Sequence, residues 1–177
     1  MKKKYLIVAL CIAMVASFCS CKYVSMMPRY YRDFDRQIAE ETIEQITKAI
    51  VRKDKVSLKE MFSKRALNEV DNFDDTLTQF FEIFQCTDIS WEDNEGEVLT
   101  AESSNEYGAI TRKIETWYNV STENQKYIFH FIKWTIDTEN PDNVGLYTLR
   151  IIRLEDEEKQ FVWDVEQSPG IYYRPGE

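Results

Sequence analysis

The chain has 177 residues, 22 of them Lys or Arg and 31 Asp or Glu, giving a formal net charge of −9 with a single histidine. Its first 20 residues hold three of those basic residues and none of the acidic ones, so removing them leaves −12. A charge of that sign disfavours nucleic acid and anionic lipid headgroups, which need clustered Lys and Arg, and the roughly 157 residues remaining make one domain with a real core, too few for two.

Lys2-Lys3-Lys4 runs into an apolar stretch that ends at Phe18-Cys19-Ser20-Cys21. A basic start, an apolar region of about 15 residues and a small residue before a cut describe a secretory signal, too short for a membrane-spanning helix. The segment resembles a bacterial lipoprotein signal, in which the cysteine after the cut becomes the lipid-modified first residue of the mature protein. Cys21, preceded by Ser20, takes that position, although Phe18 stands where such signals usually carry Leu. Residues 1–20 therefore read as the signal. Residues 21–32, with neither alternation nor helical spacing, read as a tether, and residues 33–177 as a single domain. With Cys11 and Cys19 in the signal and Cys21 acylated, Cys86 is the one cysteine left in the domain, which excludes an internal disulfide. No sequence feature pairs it with a histidine, so a buried small apolar role is expected for it, not a nucleophile's.

From Asp33 the pattern becomes helical. Phe34, Ile38, Thr42, Ile46 and Ile50 recur every four residues, with Glu40, Glu41, Glu44 and Lys48 elsewhere, and predict a long amphipathic helix closing near Lys53-Asp54. Ser57 with Glu60 three residues later reads as a capping box for a short second helix that buries Leu58, Met61 and Phe62. Phe73, Leu77, Phe80, Phe81 and Phe84 predict a third, capped by Asp71 or Asn72. A helix laid on a sheet needs such an apolar face, so the phenylalanine stripe is expected to be core and not a ligand box.

After Gln85 the period falls to two. Ile89 and Trp91 begin a short strand, Asn94-Glu95-Gly96 supplies a turn, and Val98 to Ala101 is expected to return as its hairpin partner. Ile110, Ile114, Tyr118 and Val120 share one face of a long strand, with Thr111, Lys113, Glu115 and Trp117 on the other. Gln125 to Thr138 is a second, with Tyr127, Phe129, Phe131 and Lys133 on one face and Ile128, His130, Ile132 and Trp134 on the other. Glu139-Asn-Pro-Asp-Asn-Val-Gly145 has the residues of a tight connection leading into Leu146 to Leu154. Glu155 to Lys159 reads as a solvated turn, Phe161, Trp163 and Val165 as a closing strand, and Ser168-Pro169-Gly170 as the start of an irregular tail. The layout is α+β: three N-terminal helices packed on one face of a curved antiparallel sheet.

Lys53-Asp-Lys-Val-Ser-Leu-Lys-Glu-Met-Phe-Ser63, Phe73-Asp-Asp75, Asn140-Pro-Asp-Asn-Val-Gly-Leu-Tyr-Thr-Leu-Arg150 and Gly170-Ile-Tyr-Tyr-Arg-Pro175 resemble a family of small lipoproteins from Gram-positive bacteria, domain of unknown function 5104. The resemblance runs from about Ile38 to Pro175. It implies a fold like nuclear transport factor 2, a cone whose sheet wraps around a helix and leaves a pocket. It implies no activity and brings no assigned site residues.

A small-molecule site in such a cone would be lined by aromatics with a few polar groups. Trp117, Trp134, Tyr147 and Trp163 lie on predicted strands, and His130, Glu115 and Arg150 point into the same concavity if the register is right. His130 is the only histidine available as a general base, and its aromatic strand equally suits a structurally bonded histidine. The acidic groups Asp71, Asp74, Asp75 and Glu155 to Glu158 do not match a calcium loop and read as solvated faces. Asn119-Val-Ser121 matches the glycosylation acceptor pattern, which is uninformative behind a bacterial signal. No phosphate loop, Gly-x-Ser-x-Gly elbow or Cys-x-x-Cys pair occurs, and neither metal nor cofactor is expected. The sequence thus favours a non-enzymatic lipoprotein held by Cys21 on the outer side of the cytoplasmic membrane, its partners the bilayer and a small molecule or envelope protein. The alternative is a small-pocket isomerase or hydrolase.

Overall fold

The computed structural model describes residues 29–93, 99–104, 107–156 and 168–173. The signal, Cys21, most of the tether, the 94–98 turn, the strand expected at Phe161–Val165 and the residues after Tyr173 lie outside them. By backbone proximity the chain divides into Met1–Phe34 and Asp35–Glu177, and every described strand belongs to the second unit.

Four α-helices precede the strands among the described residues: α1 (Arg29–Val51), α2 (Lys55–Glu60), α3 (Lys64–Glu69) and α4 (Phe73–Ile83). The long first helix forms as expected but starts at Arg29, four residues inside the segment expected to be a tether, and its buried stripe lies one residue from the expected line at its start. Phe34 is 49% exposed, and Asp35, Ala39, Thr42, Ile43, Ile46, Ala49 and Ile50 face inward. α1 ends because Lys53 takes a left-handed conformation (φ 53°), letting the Asp54 amide donate back to the Ala49 carbonyl at 2.9 Å. Asp54 then caps α2, accepting from the Ser57 amide (3.0 Å) and hydroxyl (2.6 Å). The Ser57–Glu60 box is thereby corrected: an aspartate three residues earlier reaches the free amide first, and Glu60 is the helix's last residue. α3 is an extra helix. Its cap is Ser63, whose buried hydroxyl accepts from the Ala66 amide at 3.0 Å. Asn72 stands at the start of α4 without a side-chain cap; its carbonyl accepts instead from Asp75 and Thr76.

Among the described residues the sheet has six strands: β1 (Ile89–Asp93), β2 (Leu99–Ser104), β3 (Ile110–Thr122), β4 (Lys126–Asp137), β5 (Gly145–Arg153) and β6 (Gly170–Tyr173). The expected β1–β2 hairpin does not form. Both strands pair antiparallel with β3, β1 along Tyr118–Thr122 and β2 along Ile110–Glu115, so they lie end to end on one edge. β3, β4 and β5 form the antiparallel centre. The segment expected to be an irregular tail supplies β6, which runs parallel to β5 and makes the sheet mixed.

The helices cover one face of this sheet. From α4 and its end come Phe73, Leu77, Phe80, Phe81 and Phe84, and they meet Tyr118 and Val120 of β3, Phe129 and Phe131 of β4, Leu149 and Ile151 of β5 and Ile171 of β6 in one core. Phe84 is its hub, with ring centroids 5.0 Å from Tyr127, 5.3 Å from Tyr173, 5.5 Å from Phe80 and 6.0 Å from Phe129. The phenylalanine stripe is core, as its spacing implies, and it fills the centre of the helix-covered face.

Candidate functional site

Side chains alternate across a strand, so the residues of β3, β4 and β5 that miss this core point to the opposite face. There the register sets Trp117 opposite His130, His130 opposite Arg150, and Arg150 opposite Tyr172, a single row across four strands. Glu115 lies two residues along β3 from Trp117, and its Oε1 is 2.9 Å from His130 Nε2. The rings of Trp117 and His130 stack at 4.9 Å with 19° between their planes, and the Arg150 guanidinium sits 5.7 Å from the Tyr172 ring centroid.

The electrostatics of the row follow from that geometry. His130 is only 7% exposed, flanked along β4 by the buried Ile128 and Ile132. Its hydrogen bond holds the Glu115 carboxyl below its ordinary value, helped by the charges of His130, Lys113 and Arg150 and opposed by burial. An ionised carboxylate only accepts, so His130 Nε2 carries the proton and donates to it. That bond fixes the tautomer, and the Trp117 ring covers one side of the imidazole.

Of the residues singled out from sequence, Glu115, Trp117, His130 and Arg150 therefore come together. Trp134 shares their face but lies four residues along β4 from His130, opposite Lys113 and Gly145. Tyr147 does not join them. It falls where the β4–β5 register shifts, and it turns to the helices: its hydroxyl donates to Glu69 Oε2 at 2.8 Å and the Arg65 guanidinium lies 5.2 Å over its ring. Strand alternation agrees: Tyr147 is three residues from Arg150, an odd separation that puts it with Leu149 and Ile151 on the helix-covered face. Cys21 and Trp163 lie outside the described residues. Cys86 is buried, and its thiol is pushed up to about 11, chiefly by burial, which leaves it protonated at neutral pH. Among the described residues no three His, Cys, Asp or Glu side chains come close enough together to hold a metal ion.

A second charged group escapes the sequence reading. On the helix-covered face, Arg112 of β3 and Asp35 of α1 make an ion pair at 2.6 Å with side chains 5% and 3% exposed. Nearby, Lys133 of β4 donates to Thr42 Oγ1 of α1 at 2.9 Å. The signal was present: Arg112 sits between Ile110 and Ile114 in the alternation that faces the core.

The run Asn140 to Tyr147 has a structural task. Asp137 accepts from the Asn140 amide (2.8 Å), the Glu139 amide (3.2 Å) and Asn143 Nδ2 (2.7 Å), which shapes the loop and holds its own carboxyl below the ordinary value. The loop delivers β5 to the start of α3, where Leu146 donates to the Met61 carbonyl and accepts from the Ser63 amide, both at 2.8 Å. Gly145 makes this approach feasible: at φ 133°, a Cβ there would meet Ser63 N at 2.7 Å and Met61 O at 3.1 Å. An exposed Lys64–Asp142 ion pair at 2.8 Å spans the same junction.

Comparison with curated proteins finds no match. The family model for the domain of unknown function DUF5104 matches residues 45–154, a span that contains α2 to α4, the central strands and the Asn140–Tyr147 clasp, and the chain belongs to that family.

Proposed function

We propose that this protein is a lipid-anchored, non-enzymatic binding domain, fixed by acylated Cys21 to the outer side of the cytoplasmic membrane and built on a nuclear-transport-factor-2-like scaffold. The reading of Cys21 rests on the sequence around it. Helices on one face of a mixed sheet with long central strands suit that scaffold. The binding surface is the row Trp117–His130–Arg150–Tyr172 with Glu115, and it recognises a small ligand or a second envelope protein.

One observation carries the choice of binding over turnover: His130, the only imidazole in the chain, is tied through Nε2 to Glu115 and covered by Trp117. A general base must reach a substrate proton, and a histidine held this way serves better to order its neighbours. Arg150 and the 41%-exposed Tyr172 form the accessible end of the row. The opposite face supports the same view, since phenylalanine rings occupy the centre of what would be an enzyme's pocket.

The anchor is tested by metabolic labelling with a fatty acid. The wild type should incorporate label and Cys21→Ala should not; equal labelling removes the anchor. The binding surface is tested by co-purification of envelope proteins or metabolites with the full chain against Arg150→Ala/Tyr172→Ala. The reading fails if the variant keeps every associated species, or if His130→Ala abolishes a measurable turnover while the fold survives.

A further inference from the structure

We propose that residues 22–32 are a second membrane contact, in which Lys22, Arg29 and Arg32, with Tyr23, Tyr30 and Tyr31 among them, rest on the anionic phospholipid headgroups of the surface that holds Cys21. This contact presupposes the reading of Cys21 as the anchor and adds to it a headgroup affinity that acylation does not itself supply.

Charge is divided sharply along the chain. All 31 acidic residues fall at Asp33 or later, whereas residues 22–32 carry three basic residues and no acidic one. Residues 33–177 hold 16 basic residues against those 31, so a segment of +3 adjoins a body of −15. The net charge that disfavours anionic lipid therefore belongs to the body, and a surface that repels the body attracts the segment. Solubility does not account for the sign, since acidic residues serve that purpose as well or better and the rest of the chain uses them.

Helix α1 does not account for it either. Its first turn, opening at Arg29, has no acidic residue and holds two arginines. The N-terminal end of a helix carries the positive end of its macrodipole, so cations there work against the helix where a carboxylate would support it. An external anion removes that conflict.

Position then selects the anion. Residues 22–28 lie outside the described residues, and only their sequence bears on this contact. Lys22 is bonded to Cys21, and Arg29 is eight residues from it, at most about 29 Å along an extended chain. With lipid on Cys21, the basic groups are confined to the neighbourhood of the headgroups, where a juxtamembrane Lys or Arg gains from the anionic surface charge by charge. Tyrosine, an apolar ring with a polar tip, suits the same interfacial layer, and these 11 residues hold three of the chain's 10 tyrosines.

The test couples the mature chain, residues 21–177, through the Cys21 thiol to a single-chain alkyl maleimide at pH 7, where Cys86 is buried and protonated. One alkyl chain binds membranes marginally and reversibly, so an added headgroup affinity is measurable. Partition onto phosphatidylcholine vesicles is compared by sedimentation with partition onto vesicles that also contain phosphatidylglycerol, at low and at high salt. Expected at low salt is a preference for the anionic vesicles of at least about tenfold, lost at high salt. It should also be lost or inverted in Lys22→Gln/Arg29→Gln/Arg32→Gln, and kept in Arg52→Gln/Lys53→Gln/Lys55→Gln, three basic residues of the body. Equal partition onto the two vesicles at low salt overturns the contact, as does a 22/29/32 variant that keeps the preference or a 52/53/55 variant that loses it. The salt comparison uses the unaltered sequence, so the folding of a variant does not decide the outcome. Because the coupling is chemical, the result does not depend on acylation in the cell: absent fatty-acid labelling removes the anchor, and equal partition removes the headgroup contact.

Discussion

Gly145→Ala tests whether the clasp between β5 and the start of α3 is set by steric need. The new Cβ would lie 2.7 Å from Ser63 N and 2.9 Å from Ser63 Cα, both backbone atoms that cannot rotate away. The residue must also hold φ 133°, where a side chain costs about 1–3 kcal/mol. Relieving the clash moves residues 61–63 away from β5, which adds about 1–3 kcal/mol of packing strain and endangers two hydrogen bonds worth about 1 kcal/mol each. A net loss of about 4 kcal/mol follows, or roughly 8–16 °C in Tm for a domain of this size. Gly108→Ala is the control. Gly108 also has a positive φ, 82°, but its Cβ would meet nothing within 4 Å, so only the conformational cost of about 1–2 kcal/mol applies. Thermal and urea denaturation of the two variants, followed by far-UV circular dichroism, gives the comparison. If Gly145→Ala loses no more than Gly108→Ala, contact with Ser63 does not set the clasp.

Three further outcomes are expected. Arg112→Leu should lose about 3–5 kcal/mol in urea denaturation, because it removes the guanidinium that pairs the buried Asp35 carboxylate, and adding Asp35→Leu should restore part of that loss; a double variant no more stable than the single refutes the coupling. Cys86, read by peptide mapping after iodoacetamide at pH 8, should react far more slowly in the folded protein than in urea, since its thiol stands at about 11; equal rates would place it at the surface. Glu123 accepts from the Thr87 hydroxyl and from the Thr87 and Asp88 amides, which lowers its carboxyl from 4.5 to about 2. Its contribution is therefore full above pH 4.5 and disappears as pH falls towards 2, so Glu123→Gln should flatten the acid limb of stability between those values; an unchanged pH profile counts against the cap.

Periodicity made most of the scaffold legible. The phenylalanines of α4 and the alternating runs of β3 and β4 each commit a whole face to burial, and no local choice competes with that demand. The failures have local causes. Asp54 outcompetes Ser57 as a cap because an aspartate precedes the first turn, and Ser63 starts α3 where only a short polar run is visible. β2 pairs with β3 instead of β1 because β3 is 13 residues long and has room for two short strands end to end along one edge, which the turn residues Asn94-Glu95-Gly96 do not reveal. β6 is four residues long and has no period to show. At the candidate site, strand parity brought Glu115, Trp117, His130 and Arg150 to one face and puts Tyr147, an odd three residues from Arg150, on the other. Lys133 was grouped with Tyr127, Phe129 and Phe131 on one face of its strand, but its meeting with Thr42 depends on how α1 lies across the sheet, and no sequence spacing encodes that.

The parallel pairing of β6 has a consequence for timing. Ile171 and Tyr173 close the cluster around Phe80, Phe84 and Tyr127, whose other members were made some fifty to ninety residues earlier. A parallel neighbour cannot be reached by a tight turn, so these contacts are long in sequence and slow to form. Until residues 170–173 have been synthesised, Phe84 lacks one wall of its cage and β5 has an open edge.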